Sequence, residues 1–403
     1  MKQQATHRNL MRQSWRWFGP QDPVHLDHIR QAGAHEIVSA LHHFKPGQVW
    51  TKEAVAERKA MIEHHADDRT PLRWTIVESI PIPDDVRRLG KGAKESIKGW
   101  IDSMHAVAAH DIKTICYNFM PVVDWCRTDI DWPLPTGATA MRFDADRFAV
   151  FDLFILARPD AAADYDAGRI ARAKALYDQI SETDRETLIV NIASALPGST
   201  TDPLSIPAFR ARLETYKDID AARLRQHLVE FLEAVTPVAE NLGVTLTLHP
   251  DDPPRPLFGL PRIASTAADY QALFDAVKSP ANGMCFCTGS LGVRADNDLV
   301  AIVRQFAERI HFVHLRATLR EDDGSFFESD HLDGDVDMVA VIKALMDVNA
   351  KRSAENKIPF RPDHGHRMFD DLDKTVTPGY AGIGRLKGLG ELRGIMYAVE
   401  QHA

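Results

Sequence analysis

Four residues of metal-ligating type close four successive apolar runs. His249 ends TLTLHP (245–250), Cys287 lies in GMCFCTG (283–289), His314 in IHFVHLR (310–316) and Asp363 in FRPDHG (360–365). Two imidazoles, a thiolate and a carboxylate suit a borderline divalent cation such as Mn²⁺, Fe²⁺, Co²⁺ or Zn²⁺. Mg²⁺ and Ca²⁺ favour an all-oxygen shell. Taken singly, a histidine after a strand is more often a hydrogen-bonded structural group, and a buried cysteine a small hydrophobe. The joint pattern points to a metal site. A closed structural zinc site draws on short paired motifs such as CxxC, whereas these four residues are spread from 249 to 363.

Other apolar runs also end in polar groups. His42 and His43 follow EIVSAL (36–41), Glu78 lies in WTIVES (74–79) and Asn118 in TICYNF (114–119). Arg16 sits between Trp15 and Trp17 in WRWFG (15–19), Arg316 follows His314 by two, and Arg361 precedes Asp363 by two. Each alone reads as packing or ion pairing. As a set they describe a cationic mouth suited to a hydroxylated anion.

The elements that must carry these groups are eight β-type runs alternating with helix-like segments. Of the latter, 53–66, 266–278 and 299–310 have the three-to-four-residue apolar spacing of amphipathic helices. Eight such units predict a (β/α)8 TIM barrel, whose reactive groups gather at the C-terminal ends of the strands; a doubly wound open sheet is the alternative. Side chains alternate along a strand. Thr245, Thr247 and His249 therefore share the inner face and Leu246 and Leu248 the outer one. By the same count Cys285 pairs with Cys287, and Phe312 with His314.

The chain reads as one catalytic domain, 1–403, with a mostly helical insertion over 125–240 between strands four and five. That insertion contains helix-like stretches at 167–180 and 224–243 and turn-rich pieces at 131–140 and 196–203. The polar, acidic stretch 318–338 is expected to be a loop leading into a helix at about 336, a candidate lid. The glycine-dense stretch 374–395 is expected to be a loop bringing backbone close to a ligand. Its GxG at 382–384 lacks the strand–turn–helix setting of a dinucleotide site, and no organic cofactor is expected.

The 403 residues carry 57 acidic and 48 basic side chains, a formal charge of −9, with 44% hydrophobic and 26% charged residues. This is ordinary globular usage, and without a basic excess nucleic acid is not expected as a partner. Four cysteines are too few for a disulfide scaffold at this length, so a reducing compartment is expected. The N-terminal twenty residues lack a signal-type apolar core. The most apolar stretch, 148–157, is short and contains Asp152, so no membrane span is expected. A cytoplasmic homo-oligomer, guessed as a dimer, is the expectation.

Together WRWFGPQDPVHLDHIRQAGAHEIVSALHH, LTLHPDDPPRPLFGLPRI, FCTGSLGVRADND, HFVHLR, HLDGDVDM, RPDHGHRMFDD and PGYAGIGRLKGL closely resemble the mannonate dehydratase family of xylose-isomerase-like, metal-dependent barrels. The resemblance runs from about residue 11 to the C-terminus. It implies dehydration of the sugar acid D-mannonate to 2-dehydro-3-deoxy-D-gluconate in hexuronate (glucuronate) breakdown, with Mn²⁺ or Fe²⁺ as the metal and Co²⁺ or Zn²⁺ as further candidates. The family's ligands fall on His249, Cys287, His314 and Asp363. His364 and Tyr380 match its acid/base pair. Trp15, Arg16, His42, Asn118 and Arg316 are candidates for the polyol and carboxylate contacts.

The reaction is β-elimination of water. The C2 proton is weakly acidic beside a carboxylate, and a divalent cation bound there would neutralise that charge. A base must take the C2 proton and an acid must protonate the departing C3 hydroxyl. The rival readings are a sugar isomerase on the same barrel, which has no leaving hydroxyl to protonate, and a non-catalytic protein binding a metal or a sugar acid.

Overall fold

The computed structural model describes residues 9–66, 68–194 and 203–402. Residues 1–8, and all but the last residue of the turn-rich stretch 196–203, lie outside them.

Eight parallel strands close into a barrel: β1 (Arg12–Arg16), β2 (Glu36–Ser39), β3 (Arg73–Glu78), β4 (Thr114–Tyr117), β7 (Thr245–Leu248), β8 (Asn282–Cys287), β9 (Ile310–Leu315) and β12 (Pro359–Pro362). Each lies within or beside an expected run; β1 begins three residues before its run. The order β1-β12-β9-β8-β7-β4-β3-β2 leaves no free edge, which excludes the open-sheet alternative.

The alternation of side chains builds two cores. Outward residues such as Trp15, Trp17, Leu246, Leu248 and Phe360 pack under the helices in one large apolar cluster. Inside the barrel, Val38, Ile76, Cys116, Cys285 and Phe312 form a separate apolar floor. Two residues further along four of those strands stand Glu78, Asn118, Cys287 and His314, so the pleat itself lifts them to the mouth.

The remaining four strands form an antiparallel cap. β5 (Asp129–Pro133) and β6 (Thr139–Phe143) make one hairpin, and β10 (Ala317–Arg320) and β11 (Phe326–Ser329) another, joined in the order β10-β11-β6-β5. Phe326 pairs with Phe143 across the seam, ring on ring at 5.5 Å. The stretch 318–338 is thus not a loop: most of it is a hairpin, with Gly324 at φ 87 in its turn, and helix Met338–Ala350 follows. Its alternation of buried Phe326 and Glu328 with half-buried Phe327 and Ser329 is a strand pattern.

The stretch 125–240 opens with the β5–β6 hairpin and continues mainly in helices. Its helices Ala167–Gln179, Glu182–Ala193, Ile206–Glu214 and Ala221–Leu242 each begin on a side-chain cap, from Asp166, Ser181, Ser205 and Asp220, worth about 1 kcal/mol apiece. The last of these packs on β7 and on helix Ala93–Ala108, with Phe231 5.2 Å from Trp100. It is the barrel's own outer helix between β4 and β7. In the glycine-dense stretch, Gly382–Gln401 is a helix rather than a loop. Its glycines serve packing: a Cβ on Gly384 would collide with the backbone of His366. No helix among the described residues is long and apolar enough to cross a membrane.

Candidate active site at the barrel mouth

The C-terminal strand ends surround a cleft of about 410 Å3, lined among others by Arg16, Asn118, Trp125, His249, His364 and Tyr380. His249, Cys287 and His314 present donor atoms that lie within 4.8 Å of one another. Asp363 flanks them, its Oδ2 3.6 Å from Cys287 Sγ and 3.9 Å from His314 Nδ1. His249 Nδ1 meets the carbonyl of Pro250 at 2.7 Å. A carbonyl only accepts, so Nδ1 carries the proton and Nε2 is left as the donor atom. His314 Nε2 is buried and faces Glu78 Oε2 at 3.5 Å. Two imidazoles and a thiol whose donor atoms converge in this way fit a borderline divalent ion.

A second trio, Cys116, Cys285 and His314, meets the same 4.8 Å span one layer lower. Burial pushes the Cys285 thiol well up, helped by Cys116 beside it, and a metal needs the thiolate. The mouth set is the better donor set.

Around these groups runs a buried lattice of charge. Arg16 donates to Glu78 at 2.8 Å and to the Tyr380 hydroxyl at 3.0 Å. Arg361 donates to both Glu78 oxygens, at 3.0 and 3.2 Å, and to Asp363. Arg316 reaches Asp363 at 2.7 Å, Asp252 at 2.6 Å and Glu328 at 3.0 Å. Arg127 bridges Asp252 (2.7 Å) and Glu328 (2.9 Å). Burial drives the Glu78 carboxyl upward, but Arg16 and Arg361 outweigh it and hold Glu78 well below the usual range. Asp363 is likewise held well below it against burial, by Arg361, His364, His314 and Arg316. Burial raises Tyr380 although Arg16 and Arg361 pull the other way, so its hydroxyl keeps its proton.

His364 and Tyr380 face each other edge to face, ring centroids 5.0 Å apart. Gly379 makes this approach possible: its φ is 79, and a Cβ there would stand 2.9 Å from the His364 ring. The backbone bends as the sequence requires, since Asp363 and His364 both serve the mouth although neighbours on a regular strand point apart.

The arrangement brings together His249, Cys287, His314, Asp363, His364, Tyr380, Arg16, Asn118 and Arg316. It does not bring Trp15. With Arg16 turned inward, Trp15 must face the helices, where Arg385 lies 4.3 Å over its ring. Nor does His42 line the cleft: its ring packs 5.2 Å from Phe18, and burial, with Arg16 and Arg58 nearby, pushes its pKa down to about 3. Sequence reasoning missed Arg127, Asp252 and Glu328. Asp252 stood in the distinctive HPDDPP block, whereas Arg127 and Glu328 lay in stretches read as insertion and loop.

A family model described as D-mannonate dehydratase (UxuA) matches residues 11–403. The chain belongs to the D-mannonate dehydratase family. Among its relatives, the mannonate dehydratase of Brucella canis is 64% identical over 97% of this chain and 98% of its own length. That of Chromohalobacter salexigens is 52% identical over 98% and 100%. The crystal structure of mannonate dehydratase from Streptococcus suis serotype 2 superposes with a TM-score of 0.75 at 31% identity, covering 97% of this chain and 94% of that one. A xylose isomerase-like TIM barrel protein from Mycobacterium smegmatis shares the fold alone, at 12% identity and a TM-score of 0.50 over 98% and 100%. D-mannonate dehydratase family membership disfavours the isomerase and non-catalytic readings.

Proposed function

We propose that this chain dehydrates D-mannonate to 2-dehydro-3-deoxy-D-gluconate, in hexuronate breakdown in the cytoplasm, as a homo-oligomer. The observation that carries the proposal is a two-imidazole, one-thiol donor trio whose His249 lines the same cleft as Asp363, His364 and Tyr380. His249, Cys287, His314 and Asp363 would hold a divalent ion, Mn²⁺ or Fe²⁺ foremost. When bound, such an ion supplies a positive charge that offsets the substrate carboxylate and the charge developing at C2.

The chain's own residues do the rest. His364 takes the C2 proton. Tyr380, which holds its proton, delivers it to the departing C3 hydroxyl as the C3–O bond breaks and water leaves. Arg16, hydrogen-bonded to the Tyr380 oxygen, steadies the resulting phenolate, and Arg361 stands 3.5 Å away on the same atom. The enol left behind tautomerises to the 2-keto-3-deoxy acid, C3 gaining a proton as the C2 hydroxyl gives one up. Arg316 and Asn118 offer polar contacts for the substrate's carboxylate and hydroxyls.

Assaying the metal-reconstituted protein on D-mannonate and its C2 epimer D-gluconate, with detection of the 2-keto-3-deoxy acid, tests this. Product from mannonate is expected. No product with any of Mn²⁺, Fe²⁺ or Co²⁺ overturns the proposal.

A further inference from the structure

The proton-transfer histidine has a carboxylate behind it, and that carboxylate comes from the cap and not from the barrel. His364 Nδ1 lies 2.7 and 2.9 Å from the two oxygens of Glu328 on β11. Arg127 and Arg316 each donate to Glu328 Oε1, and both also clamp Asp252. The ring of charge is closed, buried and drawn from four separate segments. Burial acts to raise the Glu328 carboxyl, but Arg316, His364 and Arg127 together bring it down to about 2. Glu328 is therefore ionised and can only accept.

An acceptor-only neighbour puts the proton of a neutral imidazole on Nδ1 and leaves the lone pair on Nε2. Tyr380 closes off one side of the ring at 5.0 Å. We propose that Glu328 is a positioning residue for the dehydration, its carboxylate holding His364 in the Nδ1–H tautomer with Nε2 left for the substrate. The cap sheet thereby completes the catalytic machinery as well as covering it. The proposal rests on the reading of His364 as a proton-transfer group.

The test measures kcat and KM separately on D-mannonate, with the full-length Mn²⁺-loaded protein, for Glu328→Gln, Glu328→Ala, His364→Ala and the double variant His364→Ala/Glu328→Gln. Loss of an orienting carboxylate is expected to lower kcat by about 10²-fold or more, with KM within about threefold. In the His364→Ala background Glu328→Gln should cause no further loss, because groups that act as a unit are not additive. Glu328 also lines a second cleft of about 540 Å3 beside His364; formate entering there should restore part of the kcat of Glu328→Ala. That rescue keeps the test sharp if the glutamine variant folds poorly. Additive losses in the double variant, or a raised KM at unchanged kcat, would overturn the proposal. So would wild-type kcat in Glu328→Gln where His364→Ala is inactive, and that result spares the role of His364. Full activity in His364→Ala would remove that role and the proposal with it.

Discussion

On β3, β8 and β9 the floor and the mouth of the barrel are two residues apart: Ile76 and Glu78, Cys285 and Cys287, Phe312 and His314. The backbone is the same and all six side chains are buried, yet the layers are held by different forces. The floor is apolar and gains by leaving water. The mouth would lose by leaving water, and its charges persist only because each carboxylate faces two or more cations. The two cysteines make the contrast within one strand. Cys285 sits against Cys116 on the floor, its thiol pushed up by burial. Cys287 receives the Ser290 amide at 3.4 Å and faces Asp363 beside two histidines. Position relative to the strand end, and not residue type, separates an inert thiol from a candidate ligand.

Substitution across this boundary should part activity from stability. Cys287→Ala is expected to abolish measurable turnover, a loss of about 10³-fold or more if the cation's charge is removed, and to lower the metal content found by elemental analysis. The same change at Cys285 should leave kcat and metal content unaltered; equal losses at both sites would erase the distinction. On the floor, Phe312→Ala should cost about 3–5 kcal/mol in chemical denaturation while the folded fraction keeps its kcat.

A pH series should also tell the layers apart. Glu78 and Glu328 are held below their ordinary values. Their contribution is therefore complete above the unfolded carboxyl value, about 4.5, and is lost as pH falls below it, for Glu328 down to about 2. Unfolding free energy should fall over that window, and Glu78→Gln should flatten the slope. Phe312→Ala should lower the curve without changing its slope. The smallest effect is expected at Trp15→Phe, with KM for D-mannonate within about twofold of the parent, since Trp15 faces the helices; a large rise in KM would return it to the cleft.

Much of the site was legible because a strand has a period of two. Counting from Thr245 to His249, or from Cys285 to Cys287, assigns faces without any knowledge of the fold, and the same count separates Trp15 from Arg16, which cannot both look into the mouth. Arg127 and Glu328 had no such signal. Glu328 matters through His364 and Arg127 through Asp252, and neither neighbour is near in sequence. The cap was hidden for the same reason: β6 and β11 pair Phe143 with Phe326, and local composition does not report a partner so far away.

The amino-acid sequence by itself determined the eight barrel strands, the ligand-type residues at their ends and the family, because strand periodicity and short motifs are local properties of a chain. Tertiary structure alone decided that a four-stranded cap covers the mouth, that buried arginines cross-link separate segments of the chain, and that a carboxylate from the cap stands behind His364. Those are pairings between distant segments. They form only once the closed barrel has fixed where each strand ends, and burial then makes every unpaired charge too costly to keep.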